Sequence, residues 1–454
     1  MRLLFLALLA GCPGLNDSDT DADSDTDVDT GPPLSELPTD RCSNFDYDWV
    51  PLSDVGSVVS WERASELDIS ADTLRGMIAL AGYSADYLPI TYDVHMYRLR
   101  YRTQDRGQTV ETTALLSFPD VEGEFPTVAW LHGTTGFMDE CAPSGQGIEG
   151  AAGNLVLSSM GAVVVAPDYL GMNGFGPAST QVHPYMIAEA TAVASLDSVR
   201  AAWSLAAELN EDAKALRQTV LFGGSEGGFA ALWSERYAPW YLPSADIVGV
   251  AASVPPTDLV ALGEHGAANF GPTTAALAAA MTTHKEWYGF EAPLSDVLTD
   301  EDPAFLASTL LETMNTECSL GSAADGLDAV DQIYTEAFLA AAAEDLPSLP
   351  EWGCAFENNS LVSAPFERIS DTPVLYVISG DDQLVYHETN RADVPRLCEQ
   401  GYDLEVIECA GASHTEGAVA SLHLQWRWVQ DRINGVPFSA PCALPEPIDC
   451  AATP

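Results

Sequence analysis

Positive charge is what this 454-residue chain has least of. Against 67 Asp and Glu stand only 18 Lys and Arg, a formal net charge of −49, and just two of the bases are lysines, Lys214 and Lys285. Phosphate backbones are held by concentrations of Lys and Arg that release counterions, so nucleic acid is excluded as a partner. The nine cysteines include no C-x-x-C pair and have no cluster of histidines beside them, so metal ligation is not expected. Beyond the first eleven residues no apolar run is long enough to cross a bilayer. Charged residues are scarce at 19% while apolar residues reach 47%, so a sizeable core can form. The length suits two or three domains, or one large α/β domain carrying an insertion.

The acid excess is uneven. Seven aspartates fall between Asp17 and Asp29 in the run DSDTDADSDTDVD. Setting aside one arginine in residues 1–11 and nine acids in 12–40 leaves 17 basic and 58 acidic residues, or −41, over residues 41–454. Residues 1–11 combine a basic start, an apolar run and small residues, the pattern of a signal peptide. Leu9-Ala10-Gly11-Cys12 resembles the bacterial lipobox, which implies cleavage before Cys12, lipidation of that cysteine, and a membrane as partner through the anchor; the alternative is an ordinary secretory signal with an incidental cysteine. An Asp/Ser/Thr run repels itself and has nothing to bury, so residues 12–40 are expected to carry the lipidated Cys12 and then an extended disordered tether. The run lacks the glycine and closing glutamate of an EF-hand loop, leaving weak calcium association at most. With Cys12 set aside, eight cysteines remain, an even number suited to disulfides in an exported protein. Cys398 with Cys409 and Cys442 with Cys450 are close in sequence; a second set ties Cys409 to the C-terminal pair.

The body alternates short apolar runs with helical periodicity, which predicts an α/β fold with a mostly parallel central sheet flanked by helices. Strands are expected at 127–131, 162–166, 219–222, 247–252, 374–378 and 404–407, with an antiparallel pair over 94–118 at one edge and helices at 188–209 and 229–237. Residues 255–370 are too long for a loop and helical in composition, so they read as a cap inserted after the sixth strand, between core segments 41–254 and 371–454.

Gly223-Gly224-Ser225-Glu226-Gly227 matches G-x-S-x-G between an expected strand and an expected helix. In that setting a sharp turn with small neighbours lifts the serine hydroxyl above the sheet, and the helix N-terminus and the next backbone N–H favour negative charge there. The same turn fits neither GxGxxG nor GxxxxGK[ST], so it is not a phosphate cradle. An acyl-transferring serine needs a base, an acid that orients the base, and donors for the oxyanion. His414 lies in a small-residue loop after the last strand, giving the chain order Ser…Asp…His. Asp381 and Asp382 close the strand before it, at the sheet edge where ligands bind. Asp382 is preferred because in similar loops the acid sits three residues before an apolar valine. His132-Gly133-Thr134 ends an early strand and resembles the oxyanion loop of lipases and esterases; the donors would be the amides of Thr134 and Glu226, with Thr135 the weaker choice. The remaining histidines, His183 among them, lack a matching context.

With those residues in place the chain resembles the secretory lipase family of α/β hydrolases, over about 92–436. The likeness rests on His132-Gly-Thr, Cys141-Ala-Pro-Ser, Gly161-Ala-Val-Val-Val-Ala-Pro-Asp-Tyr-Leu-Gly171, Leu196-Asp-Ser-Val-Arg-Ala-Ala202, Gly224-Ser-Glu-Gly-Gly, Tyr237-Ala-Pro and Pro255-Pro-Thr-Asp-Leu259. It implies lipase or carboxylesterase activity without a metal or organic cofactor, and a helical cap over an acyl-binding pocket. The acid loop is one residue shorter than the family's, which keeps Asp381 in play, and the cap carries no matching motif. Rival readings are a serine peptidase of the same fold and a non-catalytic surface-binding lipoprotein.

Overall fold

A computed structural model describes residues 31–82, 87–299, 309–316, 318–320 and 326–452. The expected signal segment 1–11, Cys12 and the aspartate run to Asp29 lie outside the described residues. Nine strands form one sheet: β1 (Val58–Arg63), β2 (Val94–Asp105), β3 (Gln108–Pro119), β4 (Gly123–Leu131), β5 (Val163–Pro167), β6 (Ala213–Gly224), β7 (Asp246–Ser253), β8 (Val374–Ser379) and β9 (Leu404–Cys409). Their spatial order is β1-β2-β3-β5-β4-β6-β7-β8-β9. The β1, β2, β3 and β5 neighbours pair antiparallel, and every pair from β5–β4 to β8–β9 is parallel. Arg106 and Gly107, both at positive φ, make the two-residue turn that matches the twist of the β2–β3 hairpin.

Helices cover both faces, and the strands show it in alternation. Along β8, Val374, Tyr376 and Ile378 join the core beneath α3 (Ala188–Glu208) and α4 (Glu226–Tyr241), while Leu375 and Val377 join the one beneath α1 (Ala71–Leu80), α2 (Gly147–Ser159) and α12 (Leu422–Ile433). Both sets are fully buried, which explains why the central strands read as unbroken apolar runs. Between β7 and β8 the chain forms α5 (Leu259–Ala268), α6 (Pro272–Tyr288), α7 (Leu310–Thr316), α8 (Glu336–Glu344) and α9 (Trp352–Asn359). After β8 come α10 (His387–Glu399) and, after β9, α11 (His414–Ala420) leading into α12. The strand before the insertion is the seventh rather than the expected sixth, because the edge strand β1 precedes the β2–β3 pair. Its buried-face signal is weak: four of its six residues are exposed. The GxGxxG spacing that the chain does contain, Gly145 to Gly150, leads into α2 from a 3-10 turn and not from a strand, so it lacks the setting of a dinucleotide site.

Residues 31–40 do not form the disordered tether expected of them. They lie against the body: Leu37 is buried, its carbonyl accepts the Trp49 indole N–H at 2.8 Å, and Asp40 is inside. This strap joins core to insertion. Asp40 N–H donates to Glu189 of α3 at 2.9 Å, and its carboxylate accepts from Tyr288 of α6 and Asn358 of α9, both at 2.7 Å. Beside it, Cys42 bonds Cys354. The other disulfides are Cys141–Cys318, Cys398–Cys442 and Cys409–Cys450. Of the two sets left open by the sequence, the one that ties Cys409 to the C-terminal pair is found and Cys398–Cys409 with Cys442–Cys450 is not; β9 and the C-terminal tail run side by side, with Ala410 N–H on the Ile448 carbonyl at 2.8 Å, and that juxtaposition selects Cys450 for Cys409.

Burial, and next the charge of Asp40, pushes the Glu189 carboxyl up to about 8 from 4.5. Because the folded value lies above the free one, its stabilising contribution is complete below about pH 4.5 and is lost as pH rises through 8. Thermal unfolding of wild type and Glu189→Gln between pH 5 and 9 should show the wild type losing ground to the variant as pH rises; parallel curves would contradict this assignment.

Candidate active site

β6 ends in Gly223-Gly224 and α4 begins at Glu226, so Ser225 carries the whole reversal of direction by itself. Its φ of 59° and ψ of −124° lie where a non-glycine residue is rare, a strain on the order of 1–3 kcal/mol that the surrounding packing must hold. The glycines permit that packing. A Cβ on Gly227 would stand 1.8 Å from the Leu131 carbonyl oxygen at the end of β4, and one on Gly223 would meet the Gly227 oxygen at 2.2 Å. The serine turn is thus pressed against the strand that leads into His132-Gly133-Thr134.

Three side chains from three strand ends converge there. His414 Nε2 lies 2.9 Å from Ser225 Oγ, and His414 Nδ1 lies 2.7 Å from Asp382 Oδ2. A carboxylate only accepts, so the proton sits on Nδ1 and Nε2 keeps a lone pair toward the serine hydroxyl. Asp382 is buried, and its other oxygen accepts the Leu384 and Val385 amides at 2.9 Å each. Asp381 is exposed; its amide donates to the Ala412 carbonyl and so braces the acid loop against the histidine loop. His414 opens α11 under a Ser413–Glu416 capping box, with Ser413 Oγ 2.7 Å from Glu416 Oε2. The ring is thereby held at a helix start whose backbone is locked.

Thr134 lines a cleft with Ser225 and His414, whereas Thr135 does not. Glu226 occupies the first turn of α4, where backbone N–H groups have no partner within the helix. Both residues expected to supply oxyanion amides therefore lie beside the serine. A second space, a partly open apolar pocket, lies beside Ser225 between α5, α6 and α9 and is walled by Leu259, Leu262, Leu277, Ala280, Phe356 and Val385. On the other side Phe270, Pro272, Ala275 and Leu320 wall the cleft itself. Among the described residues no group of three His, Cys, Asp or Glu side chains is arranged to hold a metal ion.

The model of the family described as Secretory lipase matches residues 154–440, more than half of the chain. The chain belongs to the secretory lipase family. A secreted triacylglycerol lipase of Malassezia globosa is 23% identical over 425 residues, which cover 86% of this chain and 80% of that protein. Among solved structures, the ligand-bound rice cell wall degrading esterase LipA of Xanthomonas oryzae superposes with a TM-score of 0.66 at 20% identity, covering 83% of this chain and 97% of that one. Candida antarctica lipase A in its closed state gives 0.63 at 17%, covering 87% and 85%. The fold is accordingly that of an α/β hydrolase, and the secretory lipase model spans α3, the serine turn, the insertion and the histidine loop.

Sequence reasoning passed over one feature of this secretory lipase site. The Glu226 side chain turns inward, fully buried, and meets His183 Nε2 at 2.8 Å. An acid directly after the nucleophile gave a faint signal, but nothing in the sequence says which histidine reaches it across 43 residues. The contact between serine turn and β4 makes one expectation direct. Gly227→Ala should push on the Leu131 carbonyl, lowering the melting temperature by several degrees and p-nitrophenyl acetate hydrolysis at least tenfold, because overpacking costs about 1–3 kcal/mol or more; an unchanged variant in both assays would show that the turn and strand are not in contact.

Proposed function

We propose that this secretory lipase is a serine carboxylic ester hydrolase working through an acyl-enzyme on Ser225. The observation that carries the reading is the continuous chain from Asp382 through His414 to Ser225, at 2.7 and 2.9 Å. In the proposed mechanism His414 takes the Ser225 proton as Oγ attacks the ester carbonyl, and Asp382 holds the imidazole in the right tautomer and stabilises the imidazolium. The Thr134 and Glu226 amides bind the oxyanion. His414 then protonates the leaving alcohol, and water, activated by the same histidine, releases the acid. Esters are favoured over peptides because, among the described residues, both spaces beside Ser225 are walled mainly by apolar side chains. The apolar lining of the pocket beside Ser225 suits an acyl chain, and the 255–370 insertion would serve as the cap over it. Lipase and carboxylesterase differ here only in how long a chain that pocket admits.

Export fits four disulfides, which form and persist outside the reducing cytosol. The Leu9-Ala10-Gly11-Cys12 sequence supports a lipid anchor, with the acidic residues after it as the spacer between membrane and enzyme.

Initial rates on p-nitrophenyl esters of graded chain length, with a peptide anilide as control, test the reaction. Ser225→Ala should lose at least a thousandfold in kcat and Asp382→Asn about as much, while Asp381→Asn stays within threefold of wild type; undiminished ester hydrolysis by Ser225→Ala, or a preference for the anilide, would overturn the assignment. For the anchor, the full chain expressed in a bacterium should partition with membranes and Cys12→Ala should not. Wild type found unlipidated in the soluble fraction would rule the anchor out.

A further inference from the structure

Both residues assigned to the oxyanion hole have side chains that reach away from the cleft, and both reach the same short segment. Thr134 Oγ1 donates to the Tyr185 hydroxyl at 3.1 Å. Glu226 Oε1 lies 2.8 Å from His183 Nε2. His183 and Tyr185 are separated by Pro184 alone and are both buried, in a tight turn closed by Tyr185 N–H on the His183 carbonyl at 2.9 Å. The segment is itself held from two sides. His183 Nδ1 lies 2.9 Å from the Leu170 carbonyl, and the Tyr185 carbonyl meets His284 Nε2 of α6 at 3.1 Å. Between the segment and the oxyanion loop stands Tyr169, stacked on His183 at 6.0 Å and 19°, with its hydroxyl donating to the His132 carbonyl at 3.0 Å.

The proton count in this arrangement is constrained. A carbonyl can only accept, so His183 Nδ1 carries a hydrogen, and a separation of 2.8 Å at Nε2 requires a second proton between Nε2 and Oε1. Whether that proton belongs to the imidazole or to the carboxyl, the pair has no net charge. This matters because Glu226 supplies a donor to a developing negative charge, and an uncompensated carboxylate on that same residue, in a water-poor interior, would oppose it. The second carboxyl oxygen has no hydrogen-bond partner among the described residues, so the acid is not kept for its own bonding.

We infer that His183 and Tyr185 are positioning residues for the oxyanion hole: Tyr185 fixes Thr134, and His183 fixes Glu226 while cancelling the charge of its carboxyl. The inference rests on the proposed acyl-enzyme mechanism, and its test separates the two. Steady-state kinetics on p-nitrophenyl butyrate, together with affinity for phenylboronic acid, which forms a tetrahedral adduct with an active-site serine, are to be measured for Ser225→Ala, Tyr185→Phe, His183→Gln and His183→Gln/Glu226→Gln. Tyr185→Phe removes only a hydroxyl and leaves the ring in place; it should lower kcat several-fold. His183→Gln should lower kcat on the order of tenfold or more, since loss of a whole oxyanion donor costs about a hundredfold. In both, KM should stay within twofold and boronate affinity should fall in step with kcat, a split that general loosening of the fold would not produce. The double variant, whose amide pair again has no net charge, should regain most of the His183→Gln loss. Unchanged kcat and boronate affinity in Tyr185→Phe and His183→Gln, with Ser225→Ala inactive, would overturn the positioning role alone; a double variant no faster than His183→Gln would overturn the charge cancellation; an active Ser225→Ala would overturn the mechanism and this inference with it.

Discussion

Ser225 occupies a backbone conformation that it would not choose, and it does so because the turn containing it is packed directly on the end of the neighbouring strand. The approach of Gly227 to the Leu131 carbonyl leaves no room for even one carbon atom. Two parallel strands, β4 and β6, are paired from Thr127–Thr219 to Leu131–Gly223, so the register of the sheet brings Gly133 and Thr134 opposite the serine. The serine turn and the His132-Gly133-Thr134 segment are in effect one unit, and the rest of the candidate site is arranged around it.

Asp382 and His414, the proposed acid and base, arrive from the adjoining part of the sheet. β7, β8 and β9 are parallel and in step, so the loops after β8 and β9 emerge on the same edge as Ser225. Asp382 is held by two backbone amides and His414 by a helix cap, so neither side chain depends on substrate to find its place. Preorganisation of this kind is where electrostatic catalysis has its largest effect, because the dipoles need not rotate as charge develops. The insertion is secured separately. Cys42–Cys354 and the Asp40 network tie it to the N-terminal strap, and Cys141–Cys318 ties it to the segment following the oxyanion loop. Each link closes a loop of 177 residues or more, the regime in which a cross-link restricts the unfolded chain most, by about 5 to 6 kcal/mol on the chain-entropy account.

Much of this was legible in the sequence because the signals are local. The central strands are apolar throughout, the serine motif sits between a strand and a helix, and His414 and the aspartate pair each follow a strand in the expected order. What escaped was set by contacts between distant segments. β1 shows one weakly buried face and gains its place only by pairing with β2. Residues 31–40 look like the acidic tether they continue, yet Leu34 and Leu37 find apolar neighbours and Asp40 finds partners more than a hundred residues away. The disulfides followed the path of the C-terminal tail rather than the spacing of cysteines. His183 carried no motif, since its role is defined by where Glu226 points. Spacing favoured Asp382 while leaving Asp381 in play, and it is burial and two backbone amides that distinguish them.

The central claim is that one serine, Ser225, is the nucleophile of a site already assembled in the free enzyme. Intact mass measurement after treatment with diethyl p-nitrophenyl phosphate tests it most directly. Attack by Oγ on phosphorus expels p-nitrophenolate and leaves a diethyl phosphoryl group on the enzyme. The account predicts one p-nitrophenolate released per chain, one added group, loss of ester hydrolysis in proportion to labelling, and a peptide map that puts the modification on Ser225. Labelling at another residue, or full inhibition with Ser225 unmodified, would contradict it.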